Sequence, residues 1–180
     1  MSKQAINLDA NNRIYLIGFM GSGKSTVAKL LSKRLGFTCI DLDEEIERAQ
    51  KKSIKAIFEQ EGERAFRALE TAALENTASV QSSVIATGGG VVLSDQNRAL
   101  LNTLGTVIYL QVEAQEALAR ISDTDSRPML ANTSAPLVAT NLLAARKSLY
   151  AACADTTINT AKLFPEQVAA IIEENVRIHA

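Results

Sequence analysis

Histidine is almost missing from this chain, cysteine is scarce and net charge is close to nil. Each shortage removes a class of function. The single histidine, His179, stands next to the last residue, so it is expected to face solvent and to take no part in turnover. The two cysteines, Cys39 and Cys153, form no motif, and a structural or bystander role is expected for each. A net charge of −1 offers no basic field to nucleic acid or to an anionic membrane. No apolar run reaches the roughly 20 residues that cross a bilayer. The opening "MSKQAINLDANN" lacks the apolar core of a signal peptide. A cytoplasmic protein is therefore expected, with neither membrane nor nucleic acid as partner. There is no internal repeat, and the NKxD and D-x-x-G sequences of a GTP-driven switch are absent.

What is present reads as a folded α/β chain. At 180 residues a single domain is expected, with residues 1–12 as a flexible N-terminal tail and 13–180 as the domain. Short apolar, β-rich runs mark strands at "RIYLIGF", "FTCIDL", "SVIATG", "TVIYLQV" and "TTINT". Between them lie helical patterns. Val27, Leu30, Leu31 and Leu35 recur at helical spacing until Gly36, and a polar helix is expected over 43–51. Ser53 can cap a helix whose stripe is Phe66, Leu69, Ala73 and Leu74, and Ser94 can cap another. Further helices are expected through 117–121, through 137–152 and from Pro165. The segment "SDTDSRPMLANTSAP", residues 122–136, has no apolar period and reads as a long loop, a candidate mobile lid. Alternating strands and helices imply a parallel sheet covered on both faces, with ligands at the carboxyl ends of the strands.

The stretch "IGFMGSGKST" satisfies G-x-x-x-x-G-K-[ST] through Gly18, Gly23, Lys24 and Ser25, and it stands between an expected strand and an expected helix. Its glycines, Gly21 among them, allow a tight turn that aims N–H groups at phosphate oxygens. Ser22 and Thr26 belong to the same cradle. Lys24 is expected to reach the β- and γ-phosphates of a nucleoside triphosphate and Ser25 to ligate Mg²⁺. A carboxylate near the metal is also required. Asp41, ending the second strand, and Glu113, after the fourth, are the candidates. If the strand period continues past Asp41, Asp43 projects from the same side. One of the pair could then serve the metal and the other an acceptor, unless Asp43 and Glu44 merely cap the next helix.

Three features could choose that acceptor. In "FEQEGERAFRALE", Phe66 belongs to the core stripe and Arg67 does not. Arg67 could grip an anion by its fork, braced by Glu70 three residues on. Gly88, Gly89 and Gly90 follow the third strand, where bare backbone could meet a ligand. Arg127 in the lid candidate, with Arg120 upstream, could fold over a transferring phosphoryl group, a contribution of roughly 10³–10⁵ in rate. Arg146 lies on the helix that follows.

In this order "GFMGSGKSTVAKLLSKRLG", "DLDEEIE", "IFEQEGERAFRALE", "ATGGGVV", "VIYLQV", "SRPML" and "ARKSLY" resemble the shikimate kinase family over residues 13–160. The pattern F-x-x-x-G-x-x-x-F-R-x-x-E with the triple glycine is far more specific than the phosphate loop. The resemblance implies a three-layer α/β/α fold like that of nucleoside-monophosphate kinases, with a five-stranded parallel sheet in the order 2-3-1-4-5. It implies transfer of the γ-phosphoryl group of MgATP to the 3-hydroxyl of shikimate, on the route to chorismate and aromatic amino acids; separately, a monomer is expected. It assigns Lys24 to the transferring phosphate and Ser25 with Asp41 to Mg²⁺. Asp43 becomes the partner of the shikimate hydroxyls and the candidate base. Arg67 and Arg146 clamp the carboxylate, Gly88, Gly89 and Gly90 bind substrate by backbone, and Glu70 braces Arg67. Arg120 packs on adenine and Arg127 is the lid arginine over the phosphates. The family has proline where this chain has Ser148.

Overall fold

A computed structural model describes residues 6–120 and 135–177 of the chain. Nearly all of the lid candidate, Arg127 with it, lies outside the described residues, as does His179. Strands β1 (Ile6–Asn7), β2 (Arg13–Ile17), β3 (Thr38–Asp41), β4 (Ser83–Ala86), β5 (Thr106–Gln111), β6 (Thr156–Asn159) and β7 (Val176–Arg177) alternate with helices. These are α1 (Lys24–Leu35), α2 (Leu42–Gln50), α3 (Ile54–Asn76), α4 (Asp95–Leu104), α5 (Ala114–Ala119), α6 (Ala135–Cys153) and α7 (Pro165–Asn175). The main sheet is wholly parallel, in the order β3-β4-β2-β5-β6. Counting only those strands in chain order, this is 2-3-1-4-5.

The central strands β2, β4 and β5 are buried at nearly every position, on both faces, whereas the edge strands β3 and β6 are polar and largely exposed. In β2, Ile14 and Leu16 face a layer built from Val27, Ala28 and Leu31 of α1 and Val168, Ala169 and Ile172 of α7. Tyr15 and Ile17, pointing the other way, face Leu74, Leu101, Leu143 and Tyr150 from α3, α4 and α6. A smaller cluster of Ile46, Ile57 and Phe66 ties α2 to α3 beside the sheet edge.

Local punctuation acts where the residues suggested. Gly36 ends α1 at φ 69° and its N–H donates to the Ser32 carbonyl. Ser53 and Ser94 cap α3 and α4, accepting from Ala56 N and Asn97 N. Pro165 opens α7. Within α3 the chain breaks helical geometry once, at Gly62, with φ 82°.

Two expectations are corrected. Residues 6–12 are not a loose tail: β1 pairs in parallel with β7, and Ile6 and Leu8 are each only 3% exposed. Their apolar side chains complete the layer that holds Ile172 and Val176, and a polar average over the segment hid them. The second concerns Asp41 and Asp43. The strand period stops at Asp41, because three carboxylates in the first turn of α2 favour an early helix start. Asp41 is the cap, with its Oδ1 accepting from Asp43 N at 3.0 Å and from Glu44 N at 3.5 Å.

Candidate active site

The carboxyl ends of β2, β3, β4 and β6 open on one side of the sheet, and a cleft of about 720 Å³ lies there. After β2 the chain turns through Gly18, Gly21 and Gly23, all with positive φ. A Cβ on Gly21 would stand 2.3 Å from the Ala117 carbonyl oxygen, and one on Gly18 would stand 2.5 Å from that of Leu110. Only glycine lets the loop lie so close to its neighbours. Lys24, buried at the start of α1, folds its Nζ back to the Gly18 and Phe19 carbonyls at 2.9 and 3.0 Å. Ser25 and Thr26 are exposed to the cleft.

The cleft brings together Gly21, Ser22, Gly23, Lys24, Ser25, Thr26, Asp43, Gly89 and Arg120 among the anticipated residues. Asp41 stands just behind, engaged as the cap of α2. Its competitor Glu113 is exposed and pairs with Lys147 at 3.5 Å. Arg120 is held at the far end by Glu116 Oε1 at 2.6 Å and by the Thr160 carbonyl at 2.8 Å. The segment after β6, "NTAKLFP", where the resemblance implies an adenine loop, supplies the wall residues Thr160, Lys162, Leu163, Phe164 and Pro165. Its position fits as well, since it follows the carboxyl end of a strand. Phe164 is 72% exposed at this rim.

Beside Asp43 the glycine turn is overlaid by charged groups. A Cβ on Gly88 would meet Glu70 Oε1 at 2.6 Å and Asp43 Oδ1 at 3.1 Å, and one on Gly90 would meet Arg67 Nη1 at 2.4 Å. Arg146, 4% exposed on α6, donates from Nη1 to the Gly89 carbonyl at 3.2 Å. Helix α6 runs unbroken through Ser148, so serine in place of the family's proline leaves Arg146 aimed at the turn. The N–H groups of Gly88, Gly89 and Gly90 have no acceptor among the described residues.

Arg67 connects this turn to α3. Its Nη1 donates to Glu70 Oε2 at 2.8 Å, and its Nη2 pairs with the more exposed Glu63 at 3.1 Å. Glu70 is fully buried, and its Oε1 has no hydrogen-bond partner among the described residues. Burial pushes its carboxyl above the usual range; Arg67 opposes this most strongly, Asp43 adds to it and Arg146 opposes it. The result is two guanidinium groups and two carboxylates packed around bare backbone, next to a phosphate loop. Such a set can hold a small organic anion and turn one of its hydroxyls toward a terminal phosphate.

Because Gly90 has φ −107°, alanine is allowed there by its backbone and excluded only by Arg67. Gly90→Ala is expected to displace that flexible guanidinium at little cost in melting temperature. The Michaelis constant of the anionic acceptor should rise about tenfold and that of the nucleotide should not move. Steady-state kinetics beside a thermal melt would check both halves.

Comparison with known proteins adds an independent line. The family model described as shikimate kinase matches residues 20–177. A shikimate kinase of Geobacter sulfurreducens is 42% identical over 166 residues, covering 92% of this chain and 91% of that protein. One of Limosilactobacillus fermentum is 41% identical, covering 92% and 96%. Among solved structures, the shikimate kinase of Acinetobacter baumannii in complex with shikimate superposes with a TM-score of 0.88 at 37% identity, covering 91% of each chain. A deoxyadenosine kinase of M. mycoides, at 15% identity and a TM-score of 0.58, shares the fold.

Proposed function

The chain belongs to the shikimate kinase family, and from that premise we propose that it transfers the γ-phosphoryl group of ATP to the 3-hydroxyl of shikimate. The products are shikimate 3-phosphate and ADP, on the route to chorismate and aromatic amino acids. The observation that carries the reading is one glycine turn, 88–90, overlaid by Arg67, Arg146, Glu70 and Asp43 beside the phosphate loop.

In this assignment Arg67 and Arg146 hold the shikimate carboxylate, and the turn's N–H groups bind its oxygens. Asp43 accepts the proton of the attacking hydroxyl. The loop 18–23 and Lys24 hold the triphosphate, and the Gly18 and Phe19 carbonyls that accept from Lys24 Nζ in the free protein would give way to phosphate oxygens. Arg120 and the rim after β6 take the base. Arg127 is assigned the charge over the transferring group, by family resemblance alone.

For Mg²⁺ the donor set fits in kind. The Ser25 hydroxyl and the Asp41 carboxylate are hard oxygen ligands. Among the described residues no cluster of three acidic, histidine or cysteine side chains could hold a metal by itself. The ion would therefore rely on phosphate oxygens and water, with Asp41 acting through water. Bound there, it supplies positive charge to the phosphates. The setting is read as a cytoplasmic monomer; among the described residues no helix is long and apolar enough to cross a membrane.

The test is ADP release from MgATP by the purified chain, with shikimate, with gluconate and with neither. Shikimate alone should trigger it. Preference for gluconate would place the chain among other metabolite kinases, and equal rates without acceptor would leave a partner-gated ATPase.

A further inference from the structure

We propose that Tyr150 is a positioning residue of the acceptor site, its hydroxyl acting with Arg146 to set the plane of the Gly89–Gly90 peptide. The inference rests on the shikimate kinase reading above.

Tyr150 lies one helical turn beyond Arg146 on α6, so the two share a face. Both donate to a single atom, the Gly89 carbonyl oxygen. A carbonyl has two lone pairs, and here both are taken. The hydroxyl is a dependable donor, since burial pushes the phenol far above its usual range. The ring is fully buried and stacks on Tyr109 with centroids 5.0 Å apart. The donor is therefore carried on a rigid support.

The consequence falls on the other side of the peptide. No peptide bond in the described chain is cis, so the Gly90 N–H points opposite to the Gly89 carbonyl. Fixing the carbonyl toward α6 fixes that N–H away from α6. Neither it nor the Gly89 N–H has an acceptor among the described residues, which leaves them for a ligand. Glycine backbone has little stiffness of its own, and the support must come from outside. On the opposite side the turn abuts the phosphate loop, where a Cβ on Gly89 would lie 3.3 Å from Met20 N. The peptide is thus held between α6 and that loop. Without the hydroxyl, Arg146 alone would hold the carbonyl, and its own aim at an acceptor carboxylate would loosen.

A matched control is built into the fold. Tyr15 is equally buried, and its hydroxyl lies 2.7 Å from Thr77 Oγ1, remote from the turn. Tyr150→Phe and Tyr15→Phe each delete one buried hydroxyl. Both variants and the wild-type chain are assayed with MgATP and shikimate, and melted. Tyr150→Phe is expected to raise the shikimate KM about tenfold, the order of one buried hydrogen bond, with the ATP KM within about twofold. Tyr15→Phe is expected to lower the melting temperature with both KM values unmoved. An unchanged shikimate KM in Tyr150→Phe, or equal shifts in the two variants, overturns the proposal while leaving the functional reading in place. A wild-type chain that ignores shikimate overturns both. Should Tyr150→Phe not fold, amide exchange in the wild-type chain decides. Slowed exchange at Gly90 on adding shikimate is expected, and unchanged exchange counts against the proposal.

Discussion

Asp43→Asn is expected to lower kcat by roughly 10²–10⁴, the range for loss of a positioned base, while the fold and both KM values stay near those of the wild-type chain. Three observations single out this carboxylate. Asp43 lines the cleft with the phosphate loop. Its Oδ1 overhangs Gly88, in the turn that Arg67 and Arg146 overlie from α3 and α6. Its backbone N–H is already bound by Asp41, so the amide variant keeps the cap and the start of α2. Asparagine preserves shape and the capacity to accept a hydrogen bond, yet cannot take up a proton. A shikimate-dependent rate within about threefold of wild type would remove Asp43 from the proton-transfer step.

Arg67→Ala should raise the shikimate KM by about 100-fold, within the range for deleting one partner of a desolvated charge contact, with little change for ATP. The same substitution should also make stability more sensitive to pH. Glu70 Oε2 is bonded to Arg67, and Glu70 has a side-chain exposure of 1%. Burial already raises its carboxyl, and Arg67 is the strongest group holding it down. Removing the arginine raises it further. A group whose value is higher in the folded state contributes stability that is full below the ordinary carboxylate value, near pH 4, and that is lost as pH rises. Arg67→Ala should therefore be most destabilised, relative to wild type, near neutrality. The double variant Arg67→Ala/Glu70→Gln should recover stability there without recovering shikimate affinity. Urea unfolding at about pH 4.5 and pH 7 separates these effects from the kinetic one. Arg67→Lys, which keeps charge but not the planar fork, should recover only part of the affinity. Equal effects on shikimate and ATP in Arg67→Ala would place the arginine outside the acceptor site.

Residues whose role depends on near neighbours were legible in advance. The phosphate loop needs glycines, a lysine and a hydroxyl at set spacing, and all lie within a few residues of one another. Ser53, Ser94, Gly36 and Pro165 bound their helices through contacts inside a single turn. The central strands were recognisable from apolar runs, as expected of a parallel sheet buried on two faces, while the edge strands in "FTCIDL" and "TTINT" are shorter and more polar. Where two local rules competed, pattern alone misled. At Asp41 the strand period gave way to helix capping, and at Ile6 and Leu8 a polar neighbourhood masked two core positions.

Separation along the chain marks the boundary of such reasoning. Arg146 meets the Gly89 carbonyl across 57 residues, and Arg120 meets Thr160 across 40. Nothing in either neighbourhood fixes those partners. The amino-acid order alone settled the kind of fold, the phosphate cradle and the pool of charged groups, because steric and capping rules act over short range. Tertiary packing decided which guanidinium covers which glycine, that Glu70 is sealed from water, and that Tyr150 stands behind the turn. Those outcomes follow from how helices dock on the sheet, a cooperative property of the whole core.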